Sequence, residues 1–188
     1  MTFQPWSDAI EMARAQRIGA DWRGALRMMR TDAYLLLFFF RVRRFCMRAR
    51  IPVVNRLVRM GQMIFGGVEL GNAITLGSGV YFIHSLGTVI GGDARVGDRV
   101  RFMGNNTVGT ARDNGYPTIE DDVEVGCGAR ILGPVRIGAR AIIGANAVVL
   151  SDVPAGSIAV GIPARIVRPE ARKAAPALQL VVNGEIAR

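Results

Sequence analysis

The sequence predicts a mainly β protein, a three-sided coil of short parallel strands preceded by an α-helical region. Three observations predict it. From Val68 onward, aliphatic residues recur every six positions; the chain carries 23 glycines in 188 residues; and residues 8–65 hold one proline, Pro52, within helical patterning. So many glycines exceed what a compact helical protein tolerates inside its elements, so they serve a regular, turn-rich structure. The expected organisation is a helical region at 1–66, the coil at 67–168 and a C-terminal tail at 169–188.

In the helical region, periodicity predicts helices over 7–18, 22–29, 32–50 and 52–65, with Ser7 and Asp32 as N-caps. The apolar stretch "AYLLLFFF" at 33–40 is followed by the basic run "RVRRFCMRAR". It falls far short of the ~20 residues that span a bilayer. It is expected to bury a helix face against the protein or a second subunit, with interfacial membrane contact as the alternative.

Charge follows the same division. Of the net charge of +9, residues 1–66 supply +8, as twelve arginines against Asp8, Glu11, Asp21 and Asp32. Such an excess suits an anionic surface or ligand. The arginines match no nucleic-acid-binding motif and sit beside apolar residues, so nucleic acid is not an expected partner. Cys46 and Cys127 are too few and too far apart for a disulfide framework or zinc cluster, and are expected to act as small apolar fillers. No charged, apolar leader opens the sequence. The cytoplasm is therefore the expected location, with the inner membrane face as a further possibility.

Six-residue spacing runs in three phases: Leu70, Leu76 and Phe82; then Ile90, Val96, Phe102 and Val108; then Ile119, Val125, Ile131, Ile137, Ile143 and Val149. Four positions on, a second inward series appears: Ile74, Val80, Ala94, Val100, Val123, Ala129, Val135, Ala141 and Ala147. A six-residue period fits neither the 3.6-residue turn of an α-helix nor the two-residue alternation of a strand. It fits one short strand and one tight turn per hexad, with three hexads to a triangular coil. A flexible glycine-rich tract would not hold Ile, Val and Leu in register over such a length.

This period, with "VGCGARILGPVRIGARAIIGANAVVLSDVPAGSIAVGIPARIV" at 125–167, resembles the hexapeptide acyltransferase superfamily, closest to serine acetyltransferases and the relatives that acetylate exopolysaccharide sugars. The resemblance covers about residues 34–168. It implies a left-handed parallel β-helix, assembly as a trimer or a hexamer of paired trimers, acetyl-CoA as cosubstrate without a metal, and active sites in grooves between subunits.

His84, in "YFIHSLGTVIGG", aligns with the family's catalytic histidine and is the only histidine in the chain. As general base it would take the acceptor hydroxyl proton and return it to the departing thiolate. Glu69, fifteen residues earlier where serine acetyltransferases place Asp, is the candidate to orient the imidazole. The loop "GTARDNGYPT" at 109–118 breaks the hexad rhythm, as solenoid insertions bearing a site commonly do. By resemblance, Gly109 and Thr110 would meet the thioester, Gly126, Gly128, Ala129 and Ala145 would line the pantetheine channel, and Arg165 and Arg168 would pair CoA phosphates.

The acceptor pocket departs from serine acetyltransferases. There, Asp precedes the histidine and an Arg-His pair stands in the loop; here the positions hold Ile83 and, approximately, Gly115 and Tyr116. The missing charge-assisted bonds are each worth roughly 1.5–3 kcal/mol. The expected acceptor is therefore a sugar, glycan or small polyol, with Asn105, Asn106, Arg112, Asp113 and Tyr116 available for polar contacts. Serine acetylation is the alternative, and a non-catalytic trimeric scaffold the alternative of another class. A zinc carbonic anhydrase on the same fold needs three histidines, which argues against it.

Overall fold

The computed structural model describes residues 5–16 and 18–167, with the backbone of two short paired strands at 181–182 and 185–186. Four helices come first: α1 (Pro5–Ala15), α2 (Trp22–Met29), α3 (Asp32–Arg48) and α4 (Pro52–Gly66). Two expected caps are corrected. Pro5 opens α1 and places Ser7 inside it, where the fixed φ of proline suits a first turn. Thr31 caps α3, accepting from the Tyr34 amide, so Asp32 becomes the first helical residue. Asp21 caps α2 through the Gly24 amide at 2.8 Å.

The coil follows in about five turns. The first comprises β1 (Val68–Leu70), β2 (Thr75–Leu76) and β3 (Tyr81–Phe82), the second β4 (Thr88–Ile90), β5 (Arg95–Val96) and β6 (Arg101–Phe102). The third is β7 (Thr107–Gly109), β8 (Thr118–Ile119) and β9 (Glu124–Val125); the fourth β10 (Arg130–Leu132), β11 (Arg136–Ile137) and β12 (Ile142–Ile143). The last holds β13 (Val148–Val149), a bridge at Val153 and β14 (Ile158–Val160), closed by the antiparallel β15 (Arg165–Val167). Strands stack into three parallel sheets: β1-β4-β7-β10-β13, β2-β5-β8-β11, and β3-β6-β9-β12-β14. We call these the first, second and third faces.

Both inward series are buried. The large aliphatic residue of each hexad meets its counterparts on the coils above and below, and Phe82 stacks on Phe102 at 5.4 Å. Where the pattern is uninterrupted, partners lie eighteen residues apart, as for Ile119 and Ile137. Two departures matter. Phe82 to Ile90 spans two extra residues, which widen the corner between β3 and β4. Val108 to Ile119 spans five extra, which form the 110–117 loop.

The helical region packs on the first coils through its arginines as well as its apolar face. Ala33, Tyr34, Leu36, Leu37 and Phe40 of the apolar stretch are buried. Arg41 pairs with Asp8 at 3.0 Å and donates to the Leu76 and Gly77 carbonyls, while Arg43 donates to Gln62, Asn72 and the Leu70 carbonyl. Both guanidiniums are thus satisfied on desolvation. Burial still pulls Arg43 down to about 10, with the Arg59 charge adding to the effect. Cys46 is buried as expected, but Cys127 is exposed. No described helix is long and apolar enough to cross a membrane.

Candidate active site at two corners of the coil

His84 lies on the widened corner between the third and first faces. The two extra residues lift the segment off the coil, and the side chain is exposed. The stacking of this corner continues downward in register: Ile83, Met103, Gly126 and Gly144 form one column, and Leu86, Gly104, Cys127 and Ala145 the next, with His84 in the inserted pair lying against Gly104. The corner therefore gathers Ile83, His84, Asn105, Gly126, Gly128 and Ala145. Asn105 is exposed, with a left-handed φ of 50°, and its oxygens accept from Arg130.

Three expectations at this corner are corrected. Ala129 points into the coil and is fully buried, so it lines no channel. Asn106 is also fully buried, because it occupies the second inward position of its hexad; its Oδ1 accepts from the Gly104 amide at 3.0 Å and its Nδ2 donates to the Gly126 carbonyl at 2.6 Å. It cannot touch an acceptor. Gly126 and Gly128 are small for the coil's own sake. A Cβ on Gly126 would stand 2.5 Å from the Ala145 nitrogen, and one on Gly128 would stand 2.1 Å from Asn146 Oδ1. The close approach at both comes from the next coil.

Sequence reasoning missed Gly104. Its φ is 121°, and a Cβ there would lie 2.9 Å from His84 Cβ, so the bare backbone forms the floor beneath the histidine. A signal was present, since a polar Asn106 stands in an inward series otherwise read as aliphatic.

Glu69 projects outward from β1, and its Oε1 accepts from Arg59 at 2.7 Å. No hydrogen bond joins it to His84 among the described residues, so its partner within the chain is Arg59, which rises from the neighbouring helix α4. Beside this corner, α3 and α4 enclose a cleft of about 360 Å³ walled by Leu35, Leu36, Phe39, Val58 and Phe65, with Ser85 at its edge.

The remaining expected residues stand at the opposite edge of the first face. Gly109 ends β7, Thr110 opens the loop that follows, and that loop carries Arg112, Asp113 and Tyr116. The Tyr116 ring covers Gly92, where a Cβ would meet it at 2.0 Å, and Gly115 rests against Pro134. Thr110 Oγ1 is buried and has no hydrogen-bond partner among the described residues. At about 3.3 Å per residue, the strand between Asn105 and Thr110 separates the two corners by roughly 15 Å. One chain thus presents His84 at one edge of the face and the 110–117 loop at the other. Arg165 lies at the far end of the third face, exposed and bonded to the Ala164 carbonyl; Arg168 lies outside the described residues.

Residues 116–151 match the bacterial transferase hexapeptide family (six repeats). The serine acetyltransferase of Synechococcus elongatus is 39% identical over 130 residues, 68% of this chain and 53% of that protein. The chain thus spans about half the length of such curated relatives. Soybean serine acetyltransferase complexed with serine superposes with a TM-score of 0.74 at 32% identity, over 87% of this chain and 70% of that one. The chain belongs to the serine acetyltransferase family. It shares that family's left-handed parallel β-helix. A serine acetyltransferase in complex with CoA superposes with a TM-score of 0.72 at 25% identity, over 85% of this chain and 68% of that one.

Proposed function

We propose that the protein is an acetyl-CoA-dependent O-acetyltransferase that works as a trimer, with His84 as general base and L-serine as acceptor. The observation that carries the chemistry is an exposed, sole histidine on a corner widened by two residues, in a chain whose similar relatives are serine acetyltransferases. The imidazole takes the proton from the acceptor hydroxyl as its oxygen attacks the thioester carbonyl; the tetrahedral intermediate then expels the CoA thiolate, which receives that proton. Backbone amides around Gly109 and Thr110 suit the developing oxyanion. Glu69 serves as the orienting carboxylate, since its pair with Arg59 is over a third exposed on both sides and holds it weakly.

The ~15 Å between the two corners supports a site completed by a second copy, with the His84 corner of one protomer facing the 110–117 loop of the next. The outer face of α4 supports assembly too: Val53, Leu57, Met60 and Ile64, one helical stripe, are all exposed in the single chain. Contact with an anionic membrane would use the α3–α4 turn, where Phe45 and Ile51 are exposed near Arg50; salt-reversible sedimentation with phosphatidylglycerol vesicles would detect it.

A neutral sugar or polyol acceptor is the second reading, and Ile83 favours it: beside His84, where a serine ammonium would need a carboxylate, stands an aliphatic side chain. Thiol release from acetyl-CoA decides. Saturable turnover at millimolar or lower L-serine supports serine, whereas turnover only with neutral hydroxyl compounds overturns it. Absence of His84-dependent turnover with any acceptor leaves a non-catalytic scaffold.

A further inference from the structure

The corner beneath His84 is built differently from the same corner lower in the solenoid. Its inward positions, coil by coil, are Thr88, Asn106, Ala129 and Ala147, all fully buried. The two polar residues occupy only the coils that carry and support His84, and alanine serves below. A buried amide in an apolar solenoid is kept where it fixes one backbone conformation, and here every polar group of Asn106 is directed at backbone or at Thr88. Oδ1 accepts from the Gly104 amide at 3.0 Å, Nδ2 donates to the Gly126 carbonyl at 2.6 Å, and the Asn106 amide donates to Thr88 Oγ1 at 3.4 Å. Gly104 in turn lies against His84, within 2.9 Å of its Cβ and 3.1 Å of its carbonyl oxygen for any added Cβ. The imidazole makes no hydrogen bond of its own among the described residues; the Gly104 backbone beneath it supports the residue, and Glu69 would orient the ring from that footing.

We propose that Asn106 is a positioning residue for the general base: by holding the Gly104 peptide it fixes the floor on which His84 stands, and with it the aim of the imidazole. The kinetic part rests on His84 being the base of the reaction proposed above; the structural part does not. Because His84 is the only histidine, its ring resonances report the corner directly, without activity.

The test uses the full-length protein. Asn106→Val keeps the approximate volume and supplies the apolar residue that inward positions elsewhere accept, but leaves the Gly104 amide without its acceptor. The expected result is a ten- to hundredfold fall in kcat with the acetyl-CoA KM within twofold, the size of effect that a misplacement of about 1 Å produces. The His84 ring resonances should shift or broaden, while the circular dichroism spectrum and oligomeric state stay those of the wild type. Gly104→Ala, which pushes a methyl against His84 from the same floor, should show the same signature, and the double variant should be little worse than either single one. A folded Asn106→Val with wild-type kcat and unchanged ring resonances overturns the proposal. Should that variant not fold, wild-type kcat and ring resonances in Gly104→Ala overturn it instead. If the wild type shows no transfer at all, the enzymatic reading fails separately, and the ring resonances of the two variants still decide the positioning role.

Discussion

His84 is exposed and has no side-chain partner among the described residues, so its substitution should remove chemistry while leaving fold and CoA binding intact. His84→Asn is expected to lower kcat by about 10²- to 10⁴-fold, the usual range for a general base, with the acetyl-CoA dissociation constant unchanged by calorimetry. Its neighbour tests the acceptor. If serine's ammonium lies over Ile83, Ile83→Asp should lower the serine KM by about tenfold or more, because one charge-assisted bond is worth roughly 1.5–3 kcal/mol, and should leave neutral acceptors unaffected. An equal effect on both classes would show that the side chain does not face the acceptor's charge. At this scale the sequence was legible where spacing carries the signal, as with the two-residue shift between Phe82 and Ile90, which brings His84 to an exposed corner. It misled where polarity was taken for exposure: Asn106 is polar, yet hexad phase places it inward, and phase governs because one slipped residue would turn every side chain of the strand over.

Between elements, buried ionic contacts work beside the apolar core to fix how the helical region meets the coil. Asp8 and Arg41 are buried together; Arg41 donates to the Leu76 and Gly77 carbonyls, and Asp8 accepts from Arg41 and from the Gly79 amide. Asp8→Ala would strand a buried guanidinium and should cost about 3–5 kcal/mol, seen as a fall in Tm. A second tie runs from Glu11 on α1 through Arg99 to Asp122, joining the second and third coils. The Arg99 guanidinium holds the Asp122 carboxyl below its ordinary value. A depressed carboxylate stabilises the fold above its unfolded pKa of about 4, and that contribution is lost as pH falls through the lower folded value. Asp122→Asn should therefore reduce stability at pH 7 and flatten its dependence on pH below about 4; an unaltered acid-denaturation profile would mean that the pair contributes nothing. Element order and hexad register could be read from spacing because burial repeats with the backbone. These ion pairs could not, since Asp8 and Gly79 are brought together only by docking.

For the whole molecule, the decisive feature is that His84 and the 110–117 loop occupy opposite edges of one face. Deleting residues 111–115 restores the six-residue spacing between Val108 and Ile119, so the shortened chain should fold as an uninterrupted solenoid and assemble normally. It should nevertheless be inactive, as should His84→Asn. If each site takes its histidine from one protomer and its loop from the next, co-assembling the two inactive chains in equal amounts leaves about a quarter of the sites with both parts intact, and activity should return to roughly that fraction. If instead both parts come from the same protomer, every site in the mixture lacks one of them and no activity returns at any ratio. Mixed assemblies purified through two different affinity tags separate the outcomes, because a recovered kcat can arise only from a groove walled by two chains.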